Sequence, residues 1–249
     1  MDHAAMALGQ GKLVLFIDNS AFCNIMPISL LSFYQPSDDN DQASTWNIFF
    51  IRFLRLASLV ISIIMPSLYV ALVAFHPELI PTTLAMTIVE SRNNIPLPAA
   101  LEAILMMFAL DILVEASIRL PNIIGQTVGI VGGLVIGQAA VDAGIVSSIM
   151  VIVIALTAIA SFTVPSWELA SSWRLVRYCI LIVSSFMGLY GMTLGLCVVL
   201  LHLCSIESFS KPYLTPLAPL NIRKLLDIFF RFSSRNSQVE RSKHSESKP

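Results

Sequence analysis

Residues 119–164 read RLPNIIGQTVGIVGGLVIGQAAVDAGIVSSIMVIVIALTAIASFTV, an apolar run in which glycine recurs at every fourth position, at Gly125, Gly129, Gly133 and Gly137. Four residues turn an α-helix by about 400°, so successive glycines are offset by only ~40° and share one face. In lipid, close packing at such small residues is a main source of helix association. We call these four residues the glycine ladder. The ladder predicts a membrane protein whose helices associate through this face, and we expect the protein to form a homo-oligomer.

The composition agrees with a membrane protein. The chain of 249 residues is 56% hydrophobic and 12% charged, and its mean hydropathy is +0.78, which is more apolar than soluble domains of this size. Eight of the fifteen Lys and Arg residues follow Glu207, and none lies between Arg119 and Arg174. The four cysteines lack metal-type spacing. We therefore predict no metal, no cofactor and no nucleic-acid partner.

Three regions follow from the hydropathy and turn signals. Residues 12–17 (KLVLFI) predict one β-strand ending in turn residues at Asp18. Because a single strand leaves its edges unpaired, we interpret residues 1–50 as the remnant of a cytoplasmic soluble domain, including an acidic linker at 36–44. Residues 51–206 form the predicted transmembrane domain. Residues 207–249 form a basic cytoplasmic tail.

The predicted fold is an all-α polytopic membrane protein with about four transmembrane helices. The spans are expected at the four apolar runs 53–75, 124–143, 145–164 and 175–206, each long enough to cross about 30 Å of hydrocarbon. Arg52 and Arg55 place the start of the first span in the cytoplasm by the positive-inside rule. Four spans return the basic tail to the cytoplasm, whereas five would leave it outside, and we favour four.

A further helix at residues 101–120 is apolar in bulk but carries Glu102, Asp111, Glu115 and Arg119. An Asp or Arg at a bilayer centre costs roughly 2.5–3.5 kcal/mol, so these side chains are expected to face protein or water. Glu115 and Arg119 are four residues apart and can pair. Asp111 and Glu115 repel each other unless one is protonated or bound to a cation. Either an interfacial helix with solvated carboxylates or part of a cation path fits this pattern.

The hairpin of the second and third spans carries the polar residues that a path would need. Gln126, Gln138 and Asp142 lie on the second span, and no Lys or Arg on the hairpin neutralises Asp142. Intramembrane carboxylates are tolerated beside water, cations or bases. The hypothesis is a cation path lined by these three residues, with Asp111 and Glu115 near its mouth. The alternative places Asp142 at the membrane surface, solvated beside the Gly144 turn.

In the tail, residues 221–232 (NIRKLLDIFFRF) put apolar side chains on one helical face and basic ones mostly on the other. This pattern predicts an interfacial helix that binds the lipid of the cytoplasmic leaflet.

Several runs closely resemble the A subunit of GerA-type spore germination receptors. They are residues 69–72 (YVAL), 76–82 (HPELIPT), 115–116 (EA), 119–121 (RLP), 124–126 (IGQ), 128–133 (VGIVGG), 135–141 (VIGQAAV), 155–162 (ALTAIASF), 212–214 (PYL) and 216–219 (PLAP). The resemblance covers about residues 11–231. It implies a subunit whose large N-terminal soluble domain is represented here only by its last strand.

The resemblance also implies a function. Such a subunit works in the spore inner membrane with a transporter-like B subunit and a lipoprotein C subunit to sense nutrients. We therefore expect a subunit of a germinant receptor that contributes to a regulated ion path; a non-conducting scaffold or a secondary transporter is the alternative. An enzyme is not expected, because the acidic and histidine side chains lack the spacing of known catalytic motifs.

Overall fold

The computed structural model describes residues 8, 12–16, 18, 23–30, 45–164, 167–209, 211–215 and 217–218. In this part of the chain the structure is mostly helical, as predicted. It contains six α-helices, which are α1 (Thr45–Phe75), α2 (Thr82–Arg92), α3 (Ala99–Arg119), α4 (Asn122–Asp142), α5 (Ser148–Phe162) and α6 (Trp167–Ser205), and four short strands, β1 (Leu13–Phe16), β2 (Cys23–Met26), β3 (Glu207–Ser208) and β4 (Lys211–Pro212). A 3₁₀ turn at Pro77–Leu79 follows α1. The predicted linker at 36–44 and the predicted tail helix at 221–232 lie outside the described residues.

Two helices contain runs long and apolar enough to cross a membrane. They are Phe49–Phe75, with a mean hydropathy of 2.3, and Leu169–Ser205, with 1.9. Helix α5 is apolar but has only 15 residues. Within the described residues the structure therefore supports two such runs, and the number of four spans stays a prediction.

The N-terminal strand has a partner within the chain, so the expectation of a lone strand is wrong. Strand β1 pairs with β2 in an antiparallel hairpin, with Leu13 opposite Met26 and Phe16 opposite Cys23. The turn predicted at Asp18 lies between them. Strand β2 was missed because its four residues, CNIM, are too short to show a period of two.

A second short hairpin follows α6 and is joined to the N-terminal segment. Strands β3 and β4 are antiparallel. The backbone N–H of Leu30 donates to the carbonyl of Tyr213 at 2.9 Å. The N–H of Ile28 donates to the Ser208 hydroxyl at 3.4 Å. Both hairpins belong to one compact unit, formed by residues 1–57 and 200–249, while residues 58–199 form the other.

The core of the 58–199 unit is apolar and is built from four helices. Helices α1, α3, α5 and α6 contribute its buried side chains, which include Val70, Met107, Met150, Ile154 and Leu181. Helix α3 packs along both α4 and α5. The charged helix α3 therefore contacts both helices of the predicted hairpin.

The glycine ladder on α4 divides between two neighbours. A Cβ at Gly125 would collide with the backbone carbonyl of Ser117 on α3, and one at Gly129 would come within 3.9 Å of Leu113 and Ser117. A Cβ at Gly137 would lie 3.3 Å from Val151 on α5. Successive glycines of the ladder are offset by ~40° around the axis of α4. The first two therefore face α3 and the last faces α5. At Gly133, between them, a Cβ would meet nothing within 4 Å.

The last apolar run, predicted as one span at 175–206, reverses direction at Gly188. This residue has φ 61° and ψ −139° inside α6. A Cβ at Gly195 would lie 3.5 Å from Ile180 Cγ1, although residues fifteen apart on a straight helix are about 22 Å apart. We therefore describe α6 as two antiparallel arms, residues 167–187 and 189–205. Glycine is required at the reversal, because its φ is left-handed and a Cβ would lie 2.8 Å from Phe75 Cβ.

Candidate functional site

The charged residue at the centre of α3, Asp111, meets two arginines from α6. Arg174 Nε lies 3.4 Å and Arg177 Nη2 lies 3.5 Å from Asp111 Oδ1. The Tyr178 hydroxyl donates to Asp111 Oδ2 at 2.7 Å. The arginines sit on the first arm of α6, one turn apart, so both reach the same carboxylate. The expectation that Asp111 faces protein or water holds in the form of this cluster.

A cavity of about 140 Å³ opens beside this cluster. Its walls come from α1, α3, α5 and α6, and among its lining residues are Ser62, Asp111, Ser161, Trp173, Arg174 and Arg177. Apolar side chains such as Val114 and Phe162 complete the wall. Arg177 is only 4% exposed, so its guanidinium is held inside protein.

A second buried carboxylate, Glu102, lies near the start of α3. It is 0% exposed and forms an ion pair with Arg92 at the end of α2, with Nη2 to Oε1 at 3.0 Å. Its other oxygen accepts from the N–H of Ser147 at 3.1 Å and from the Ser147 hydroxyl at 3.2 Å. This cluster joins α2, α3 and the start of α5, so its role is structural.

Ser147 also explains where α5 begins. Its backbone is extended, with φ −73° and ψ 145°, and its hydroxyl accepts from the N–H of Met150, so it is the N-cap of α5. Helix α5, which corresponds to the predicted span 145–164, therefore begins at Ser148. The hydroxyls of Thr157 and Ser161 donate to carbonyls of their own helix, those of Val153 and Ala158.

Two of the three predicted path residues on α4, Gln138 and Asp142, lie at its C-terminal end, whereas Gln126 lies near its start. Gln138 Nε2 donates to Asp142 Oδ1 at 3.1 Å, and both side chains are exposed. The side chain of Gln126 lies outside the described residues. The structure therefore brings together Gln138 and Asp142.

The remaining predicted carboxylate, Glu115, pairs with Arg119. Arg119 Nη2 lies 2.7 Å from Glu115 Oε1, as their spacing predicts, and the side chains of Arg119 and Glu115 are 77% and 49% exposed, respectively. Asp111 belongs to a different cluster, the one with Arg174 and Arg177. Asp111 and Glu115 therefore each have an arginine within ion-pair distance.

The sequence did not identify the partners of Asp111 and Glu102, which are Arg92, Ser147, Arg174, Arg177 and Tyr178. A usable signal was the number of acids on α3, because each buried carboxylate requires a basic or hydrogen-bonding partner. The sequence separation of 66 residues between Asp111 and Arg177 carries no local pattern that identifies the partner.

Comparison with known proteins places these features in a family. Residues 1–243 match the Bacillus/Clostridium GerA spore germination protein family. The chain is 45% identical over 234 residues to spore germination protein KA of Bacillus subtilis (strain 168), covering 92% of this chain and 42% of that protein. It is 41% identical over 240 residues to spore germination protein A1 of the same organism, covering 96% and 49%. It is 39% identical over 231 residues to spore germination protein GerLA of Bacillus cereus, covering 92% and 46%.

The apolar, helical structure and these matches identify the class of the chain as that of the spore germination proteins, as the resemblance in the sequence implied. The chain belongs to the GerA family. It spans less than half of the length of the relatives named above. No solved structure matches it.

Proposed function

We propose that the chain is a membrane subunit of a nutrient germinant receptor in the spore inner membrane. The observation that carries this proposal is the family match over residues 1–243. The apolar runs in α1 and α6 support a multi-pass membrane location. In this proposal the chain forms a homo-oligomer and works with the transporter-like B subunit and the lipoprotein C subunit.

We further propose that the subunit contributes to a regulated cation path lined by Asp142, Gln138 and Gln126. Asp142 supports this role because residues 120–173 contain no Lys or Arg that would neutralise it. Its described partner is the neutral side chain of Gln138. Carboxylates in a ring favour cations in pores. Asp111 and Glu115, proposed near the mouth, are paired with arginines, so the negative charge of the path rests on Asp142.

The test replaces Asp142 with Asn and with Lys and measures potassium release from germinating spores at matched protein level. A loss of about 1.4 kcal/mol of cation stabilisation corresponds to a tenfold change. We therefore expect up to about tenfold slower release with Asn, and slower release still with Lys. Glu90→Lys, at an exposed position on α2, is the control for the added charge and should leave release unchanged.

Release at the wild-type rate in both Asp142 variants would remove the conducting role. The chain would then be a non-conducting scaffold within the receptor.

A further inference from the structure

We propose that the cavity beside Asp111 is a binding site for a small monoanion, held by Arg177 and Trp173. Asp111 is shared with the mouth of the proposed cation path, whereas Arg177 and Trp173 on α6 belong to this site alone. Substitutions of Arg177 and Trp173 therefore test this inference separately from those of Asp142 on α4.

The charge of the cavity is the first argument. Arg174 and Arg177 stay protonated in proteins, and Asp111 is the one carboxylate among the described lining residues. Counting only the described side chains, two arginines and one carboxylate give the cluster a net charge of about +1. A singly charged anion neutralises this net charge, whereas a divalent anion leaves the site with a net negative charge.

The unfilled hydrogen-bonding capacity is the second argument. Among the described residues, Arg177 Nε and Trp173 Nε1 are buried and have no hydrogen-bond partner. The hydroxyls of Ser62 and Ser161 already donate to carbonyls of their own helices, at 2.9 Å and 2.7 Å. Arg177 and Trp173 therefore leave donors open, and a ligand that fills them must be an acceptor. Buried donors without a partner are unfavourable, and this favours an occupant.

The size and walls of the cavity narrow the chemistry. A volume of about 140 Å³ accommodates a few heavy atoms. Leu110, Val114 and Phe162 give it an apolar side, whereas the arginines and the indole give it a polar side. The shared chemistry of the ligand is a singly charged oxyanion next to a short apolar group. A short-chain carboxylate and the phosphodiester of a lipid headgroup are the two sources of such an anion.

The experiment uses the full 249-residue chain in maltoside micelles free of phosphate. Trp46→Phe and Trp167→Phe leave Trp173 as the one tryptophan of the three. Its fluorescence is titrated with sodium acetate, at an ionic strength held constant with sodium sulfate, whose divalent anion exceeds the charge of the cluster. We expect a saturable change. Arg177→Gln should raise the dissociation constant for acetate at least tenfold.

Arg119→Gln is the matched control, because it removes the same charge from an exposed ion pair and should change affinity less than twofold. Calorimetric titration of Trp173→Phe, which keeps an aromatic ring but removes the N–H, should show at least threefold weaker binding of acetate. This second variant keeps the test valid if Arg177→Gln does not fold.

Nanodiscs distinguish the two sources. If acetate changes the fluorescence of Trp173 in discs containing phosphatidylglycerol as it does in micelles, the occupant is a soluble carboxylate. If the signal there is already saturated and acetate does not change it, the occupant is the lipid phosphate. The proposal is overturned if neither acetate nor the anionic lipid gives a saturable response, or if Arg177→Gln binds as well as Arg119→Gln.

Discussion

The ion pair between Glu102 and Arg92 gives the sharpest prediction of stability. Glu102→Gln keeps the size of the side chain but removes the charge that faces Arg92 Nη2 at 3.0 Å. Breaking a buried pair from one side costs about 3–5 kcal/mol. Arg92 is 18% exposed and also donates to the carbonyl of Leu97 at 3.4 Å, so we expect a smaller cost than for a fully buried pair, about 2–3 kcal/mol.

Glu102→Ala should cost more, because it also removes the acceptor of two hydrogen bonds. The N–H and hydroxyl of Ser147 both donate to Glu102. Hydrogen bonds to a charged group contribute about 1.5–3 kcal/mol. We therefore expect about 4–5 kcal/mol for Glu102→Ala, and a coupling of about 1–2 kcal/mol between Glu102→Ala and Ser147→Ala in a double-mutant cycle.

The assay is unfolding of the purified chain in mixed micelles by titration with dodecyl sulfate, followed by far-ultraviolet circular dichroism. Glu115→Gln is the matched control, because Glu115 lies on the same helix and also pairs with an arginine, but is 49% exposed. Exposed ion pairs contribute about 0–1 kcal/mol. If Glu102→Gln and Glu115→Gln lower the free energy of unfolding equally, burial of Glu102 does not stabilise the fold as we argue.

Two further predictions concern glycines of α6 and α4. Gly188→Ala should lower the free energy of unfolding by about 2 kcal/mol or more, because its φ is left-handed and Phe75 approaches closely. Gly195→Ala should have a smaller effect, because a Cβ there makes ordinary contact with Ile180. Equal losses of stability in the two variants would contradict the chain reversal at Gly188. Gly133→Leu should leave the subunit folded, because that position is open, but should reduce the molar mass of the oligomer in light scattering. An unchanged mass would show that the open part of the ladder is not an assembly surface.

The sequence predicted the features that depend on local patterns. The helix found over Thr45–Phe75 contains the predicted span 53–75, because a long apolar run needs no tertiary contact to be recognised. The pair of Glu115 and Arg119 followed from a spacing of four residues.

The features that the sequence did not predict depend on long-range contacts. Nothing near Gly188 distinguishes a glycine that reverses the chain from one that permits close packing, because the difference lies in Phe75, more than a hundred residues earlier. The partners of Asp111 were missed for the same reason. Acidic side chains predicted that partners exist, and the fold determined which residues they are.

The hydrogen bonds of Leu30 with Tyr213 and of Ile28 with Ser208 constrain the topology by parity. Groups bonded at about 3 Å cannot lie on opposite sides of about 30 Å of hydrocarbon. For a chain embedded in a bilayer, the segments before α1 and after α6 therefore lie at one face, and the number of crossings between them is even. For such a chain, five crossings would place the two hydrogen-bonded segments at opposite faces. If both arms of α6 cross the bilayer, they contribute two crossings. The number of crossings made from α1 to α5 must then also be even.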